Sequence, residues 1–241
     1  MSILGHKSGC WATVVGIIST SAAATAQSLE IAPITVDLPA GRLSSTIRIT
    51  NRGTTPTTVQ IRSFAWSQPV GGEQLDPTRE MVVSPPFSTL AAGDTQTVRI
   101  VLRKAALERE ASYRLLVDQL PATADAGSIR VALRISLPVF AAAAGAARAR
   151  LTWKLVGADP VKRTLVIRND GTRRAKISAL NLPQAATVPG FTFRYVLAGS
   201  EVAIPVEAGT SGWAAAGATL HVSATSDQGR VEADAPIVPA A

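Results

Sequence analysis

The sequence predicts an all-β protein made of two similar β-sandwich domains, and three observations predict it. Short segments of alternating apolar and polar residues recur along most of the chain, separated by clusters of Gly, Pro, Asn and Asp. A stretch of small residues, Ala141 to Ala149, interrupts them once. A strand–turn–strand motif is found on both sides of that interruption. The chain has 241 residues, 46% of them hydrophobic and 17% charged, which is long enough to bury a core in one or two domains.

Taken in order, the first 26 residues read as a secretory signal peptide. A short basic start (His6, Lys7) precedes an apolar run centred on Trp11 to Ile18, and Ala24-Thr25-Ala26 matches the A-x-A cleavage pattern. That run is short for a membrane span, so no direct membrane insertion is expected. Cleavage before Gln27 removes Cys10 and His6, leaving a mature chain with no cysteine and one histidine, His221. An exported domain of this kind must fold by core packing without a disulfide. The mature chain keeps 23 cationic and 17 acidic side chains, a net charge of +6. Its arginines are scattered along strand-like segments with no dense basic run, so a solvated basic surface is expected rather than a nucleic-acid groove.

Residues 27–140 are expected to form the first domain. "SLEIAPITVDL", "STIRITN", "TTVQIRSFAW", "TQTVRIVL", "YRLLVDQL" and "IRVALRISLPVF" all favour strands, and about seven strands in this length suit an antiparallel sandwich. Only "RKAALEREA", Arg103 to Ala111, has a helical pattern, and it is short enough to be a single turn or a loop. Residues 141–148 read as a linker, with an Ala-rich helix as the alternative. Residues 149–241 read as the second domain, where strand patterns return in "ARLTWKLV", "KRTLVIRN", "RAKISALNL" and beyond. The internal echo pairs "IRITNRGTTPTTVQI" with "LVIRNDGTRRAKISAL". Asn51 and Asn169 are expected to end a strand in a turn, with Gly53 and Gly171 supplying positive φ. Val59 and Ile177, eight positions after each Asn, are expected to face a core.

The residues for catalysis are missing. Without a mature cysteine there is no Cys–His pair, and any Ser–His–acid triad would need His221. That residue alternates with Leu220 and Val222, which predicts a surface position on a strand. There is no H-E-x-x-H motif, phosphate-binding glycine loop or metal-ligand cluster. No enzyme activity, cofactor or metal is expected.

The most informative stretch is "SIRVALRISLPVF". Ile129, Val131, Leu133, Ile135, Leu137 and Val139 alternate strictly over eleven positions, whereas a sandwich strand needs about five or six residues. The simple reading is a core strand. The excess length suggests that the apolar face continues past its own core, a hazard on a sheet edge unless the strand is meant for a partner.

"SYRLLVDQLP" followed by "IRVALRISLPVF" resembles the periplasmic pilus chaperones of the chaperone–usher pathway (PapD-like), most of all their archaic, Csu- and spore-coat-type branch. "APITVDLPAG", "ITNRGTTPTTVQIRSFAWSQ", "SPPFSTLAAGDTQTVRI", "LTWKL", "LVIRNDG" and "FTFRYVLAG" follow in the family's order, over essentially the whole mature chain. The resemblance implies two immunoglobulin-like domains in tandem with a cleft between them, a periplasmic location, and pilus subunits and an outer-membrane usher as partners. It also implies donor-strand complementation, in which the last strand of the first domain (G1) is lent to a subunit that lacks its own. The implied donor residues are Ile129, Val131 and Leu133, extended by Ile135 and Leu137. Burying three such side chains contributes very roughly 5–9 kcal/mol before association costs. In the free protein the same strip can be capped by a dimer partner.

The resemblance further implies a basic pair that grips the subunit's C-terminal carboxylate. The positions where better-known relatives carry it fall near Thr35 and Pro138, and neither is basic here. Arg114 is the leading substitute, with Thr35 and Thr46 as hydroxyl donors and Arg130 and Arg134 as lesser candidates. The alternative for Arg114 is a surface pair with Asp118, four residues on and on the same strand face. A rival reading of the whole chain is a secreted two-domain adhesive or carbohydrate-binding protein. That reading is disfavoured by an aromatic content of 5% and by the dispersal of Trp66, Trp153 and Trp213.

Overall fold

The computed structural model describes residues 29–69, 72–120, 132–182, 185–188, 191–210 and 212–239. The expected signal peptide and Cys10 lie outside them. The described residues contain eighteen strands and no helix. In the first half the strands are β1 (Leu29–Ala32), β2 (Val36–Leu38), β3 (Ser44–Asn51), β4 (Thr57–Ser67), β5 (Gln74–Pro77), β6 (Met81–Ser84), β7 (Phe87–Leu90), β8 (Thr95–Leu102), β9 (Ala111–Leu120) and β10 (Arg134–Ala141). In the second half they are β11 (Leu151–Val156), β12 (Lys162–Asn169), β13 (Ala175–Asn181), β14 (Ala185–Thr187), β15 (Arg194–Val196), β16 (Glu201–Ala208), β17 (Thr219–Ser226) and β18 (Gly229–Val238).

The first half is a sandwich of two sheets, in the orders β1-β3-β8-β6 and β2-β10-β9-β4-β5, with β7 also on β4. Period-two alternation sends Ile47, Ile49, Val59, Ile61, Val98, Ile100, Leu115 and Val117 into one core. The second half closes around a separate core that includes Trp153, Leu165, Ile167, Ile177, Trp213 and Val222, with strand order β14-β16-β12-β11-β18-β17-β13-β15. Among the described residues, no ladder joins a strand of one half to a strand of the other.

Arg103 to Glu110 form a loop, and residues 142–150 carry neither helix nor strand, so the Ala-rich helix does not form. The internal echo is structural. Asn51 Nδ2 donates to the carbonyls of Thr55, Leu90 and Ala91, and its Oδ1 accepts from the Gly53 N–H. Asn169 repeats this with the carbonyls of Arg173 and Val196 and the N–H groups of Gly171 and Arg150. Val59 and Ile177 are fully buried, as the pattern predicts. The glycine expectation is corrected: neither Gly53 nor Gly171 has positive φ. A Cβ on Gly171 would lie 2.3 Å from the Arg148 carbonyl oxygen, so close approach of backbone excludes a side chain there.

Candidate functional site: an open strand edge beside a cleft

Strand β10 lies second in its sheet. On one side it pairs antiparallel with β9 along its full length, from Arg134↔Asp118 to Ala141↔Ala111. On the other side it meets β2 in parallel only at Val139, Phe140 and Ala141. Arg134 to Pro138 therefore have no strand beyond them among the described residues. The cause is local: just before Val36 the chain passes through Pro33, Ile34 and Thr35 from β1, which belongs to the other sheet.

The predicted donor residues divide along this strand. Ile129, Val131 and the lesser anchor candidate Arg130 lie outside the described residues. Leu133 is 39% exposed and its carbonyl accepts the Gln119 N–H, so the ladder reaches it although the strand begins at Arg134. Ile135 is half-buried against the first core. Leu137 is 1% exposed inside that core, which corrects its assignment as a donor: its side chain already fills the protein's own interior.

The even residues of β4, β9 and β10 form the opposite, outward face of this sheet. There the Arg114 guanidinium lies 3.7 Å from the centre of the Trp66 ring, a cation–π geometry, with Nη2 3.6 Å from Glu73 Oε2. Its side chain is 15% exposed; burial pushes its pKa down, with Glu73 and Tyr195 pulling the other way. The alternative pairing of Arg114 with Asp118 is not what forms. Asp118 instead takes Arg62, at 2.7 Å, and Arg134. Burial opposes ionisation of Asp118, but the Arg134 and Arg62 hydrogen bonds hold its carboxyl below the usual carboxylate range. Arg134 is thereby corrected as an anchor candidate, because its charge is already matched. Thr46 is corrected as well: it is exposed on β3 in the other sheet, opposite Arg99. Thr35 is half-buried immediately before β2.

The two halves meet at a small core of their own, made of Trp66, Phe140, Tyr195 and Leu197. Tyr195 stands edge-on to Trp66 at 5.7 Å. The Gln68 side chain bonds to backbone like a one-residue strand: Nε2 donates to the Tyr195 carbonyl and Oε1 accepts the Leu197 N–H, both at 2.9 Å. Arg174, 5% exposed, lies 3.5 Å from the centre of the Phe140 ring and pairs with Glu110 at 2.6 Å and Asp37 at 2.5 Å. Burial pushes the Glu110 carboxyl above the usual range against the pull of Arg174. Beside this seam opens a cleft of about 560 Å³ lined by Gln68, Glu73, Arg194, Glu201 and Val202 among others.

Sequence reasoning missed Gln68, Glu110 and Arg174. One signal was present for Arg174: it stands five residues after Asn169, where the first copy of the motif has Pro56 five after Asn51.

Residues 28–146 match the family model described as pili and flagellar-assembly chaperone, PapD N-terminal domain. Among curated proteins no match is found. Solved structures share the fold. The CsuC–CsuE chaperone–tip adhesion subunit pre-assembly complex from the archaic chaperone–usher Csu pili of Acinetobacter baumannii matches at 24% identity, over 89% of this chain and 100% of that one, with a TM-score of 0.68. The Salmonella enterica SafA pilin in complex with the SafB chaperone matches at 16% identity, over 88% and 96%, with a TM-score of 0.60. The E. coli chaperone DraB matches at 16% identity, over 86% and 96%, with a TM-score of 0.58.

Proposed function

Through residues 28–146 the chain belongs to the PapD-like pilus-assembly chaperones, and on that premise we propose that it is a periplasmic chaperone that holds pilus subunits by lending them the open edge of β10, then delivers them to an outer-membrane usher. The observation that carries this reading is the one-sided pairing of β10. Its backbone from Arg134 to Pro138 is held rigidly by β9 on one side and left without a described strand on the other. Such an edge offers ladder hydrogen bonds to an extended segment, and alternating side chains fix its register. Leu133 continues the apolar row beyond the chaperone's own core, where it is free to fill a groove in the subunit.

Arg114 anchors the subunit's C-terminal carboxylate. Trp66 beneath the guanidinium and, among the described residues, the one acidic neighbour Glu73 leave it positively charged, and its pairing row holds Pro138, the residue where the open edge ends. A charge-assisted bond there contributes roughly 1.5–3 kcal/mol. The adhesive or carbohydrate-binding reading would need exposed aromatic platforms, whereas Trp66, Trp153 and Trp213 are all buried.

The test is co-expression of the mature chain with each neighbouring secreted subunit. Leu133→Asp should stay soluble and lose co-purified subunit. Undiminished capture by that variant would overturn strand lending.

A further inference from the structure

Proline is out of place in a strand that must pair on both sides, yet Pro138 sits in the middle of β10 and is paired across to Arg114. The direction of its nitrogen explains why it is tolerated. The Gln119 N–H donates to the Leu133 carbonyl, so odd residues of β10 turn their backbone groups toward β9. The Ala142 N–H donates to the Leu38 carbonyl, so even residues turn theirs toward the β2 side. Arg134, Ser136 and Pro138 therefore face the open edge. Arg134 and Ser136 offer both N–H and C=O groups there, while Pro138 has no N–H and, by the Val36↔Val139 register, turns its C=O to the first N–H of β2. Exposure changes at the same place: Ser136 is exposed and Pro138 is buried. One residue further on, β2 occupies that edge in parallel orientation, starting at Val36↔Val139.

We propose that Pro138 is a stop built into the lending edge. This rests on the strand-lending function proposed above. A segment that ends in a carboxylate at Arg114 must run parallel to β10, as β2 does, and so approaches the start of β2 end to end. Its last residue meets the position where the ladder has no donor. The missing N–H ends the pairing opposite Pro138, sets the register of the lent strand, and leaves the terminal carboxylate to Arg114 rather than to the backbone. It also makes the last rung one hydrogen bond weaker, which favours release when the subunit is handed on.

Two substitutions on the same row test this, because neither nitrogen faces β9 and the β9–β10 ladder is untouched. Complexes of the mature chain with a co-expressed secreted subunit are chased with excess unlabelled chaperone, and the dissociation rate is measured. Pro138→Ala restores one donor and should slow dissociation roughly fivefold, the size of one net hydrogen bond. Ser136→Pro removes one and should speed it by a similar factor. A merely damaged protein cannot release its partner more slowly. If Ser136→Pro accelerates release but Pro138→Ala leaves the rate unchanged, strand lending stands and the stop is wrong. The stop is equally wrong if Pro138→Ala only self-associates, since Pro138 then does no more than guard a bare edge against copies of itself. If wild type and both variants capture no subunit, the strand-lending reading fails and the stop fails with it.

Discussion

Two arginines flank the seam between the domains, and their surroundings differ in kind. Arg174 is enclosed, with carboxylates from Glu110 and Asp37 within 2.6 Å and the Phe140 ring against its face. Arg114 rests on Trp66 and, among the described residues, has only Glu73, at 3.6 Å, to answer its charge. In the first the charge is matched by two carboxylates, with only the buried Nε–H left without a partner among the described residues, and the arrangement holds the seam in place. The second is stable yet unfinished, which is what a receptor for an incoming anion requires. A buried arginine is thus not a site by itself; the number of carboxylates already committed to it decides which role it plays.

The largest way to break this comparison is at Glu110. Glu110→Ala strips the most buried partner from Arg174 and should cost roughly 3–5 kcal/mol of stability, read from denaturant unfolding. A loss below about 1 kcal/mol would show that the pair does not hold the seam. Next, Arg114→Ala should change stability by no more than about 1 kcal/mol while weakening subunit capture about tenfold or more. Arg134→Ala, whose charge Asp118 already answers, should keep most of the capture. Pull-down yields in the opposite order would remove Arg114 as the anchor.

A smaller effect tests the third cluster. Because Asp118 ionises more readily when folded than when unfolded, its contribution is present above the ordinary aspartate pKa near 4 and is lost as pH falls through the lower folded value. Asp118→Asn should therefore cost about 1 kcal/mol at neutral pH, and the deficit should shrink on acid titration. A deficit constant down to strongly acidic pH would deny the ion pairs any role. Thr46→Ala should do least, leaving capture and stability within about 0.5 kcal/mol, since it sits on the other sheet.

What the sequence made legible is what local periodicity controls. Alternation located most strands, and the repeated Asn-x-Gly motif revealed two equivalent turns in which Asn51 and Asn169 bind the same kinds of backbone groups. Alternation did not reveal where the protein's own core stops, so Leu137 read as a donor although its side chain fills that core. The glycines at 53 and 171 read as conformational devices, whereas Gly171 is required by a neighbouring backbone far along the chain. Arg114 stood out in the sequence, but its neighbours did not, because Trp66 and Glu73 come from a neighbouring strand and a loop rather than from its own strand. The Arg174 contact with Asp37 spans 137 residues of sequence. No window on a single chain contains such a pair.

Gln68 carries one last consequence. Its amide hydrogen-bonds main-chain atoms of the second domain, at Tyr195 and Leu197. That contact recognises a path, not a residue type, so substitution at either position leaves it intact as long as the backbone keeps its course. The angle between the domains is in this respect insulated from sequence drift in the second domain, and grafting a related domain onto this one should preserve it wherever the equivalent of β15 follows the same line.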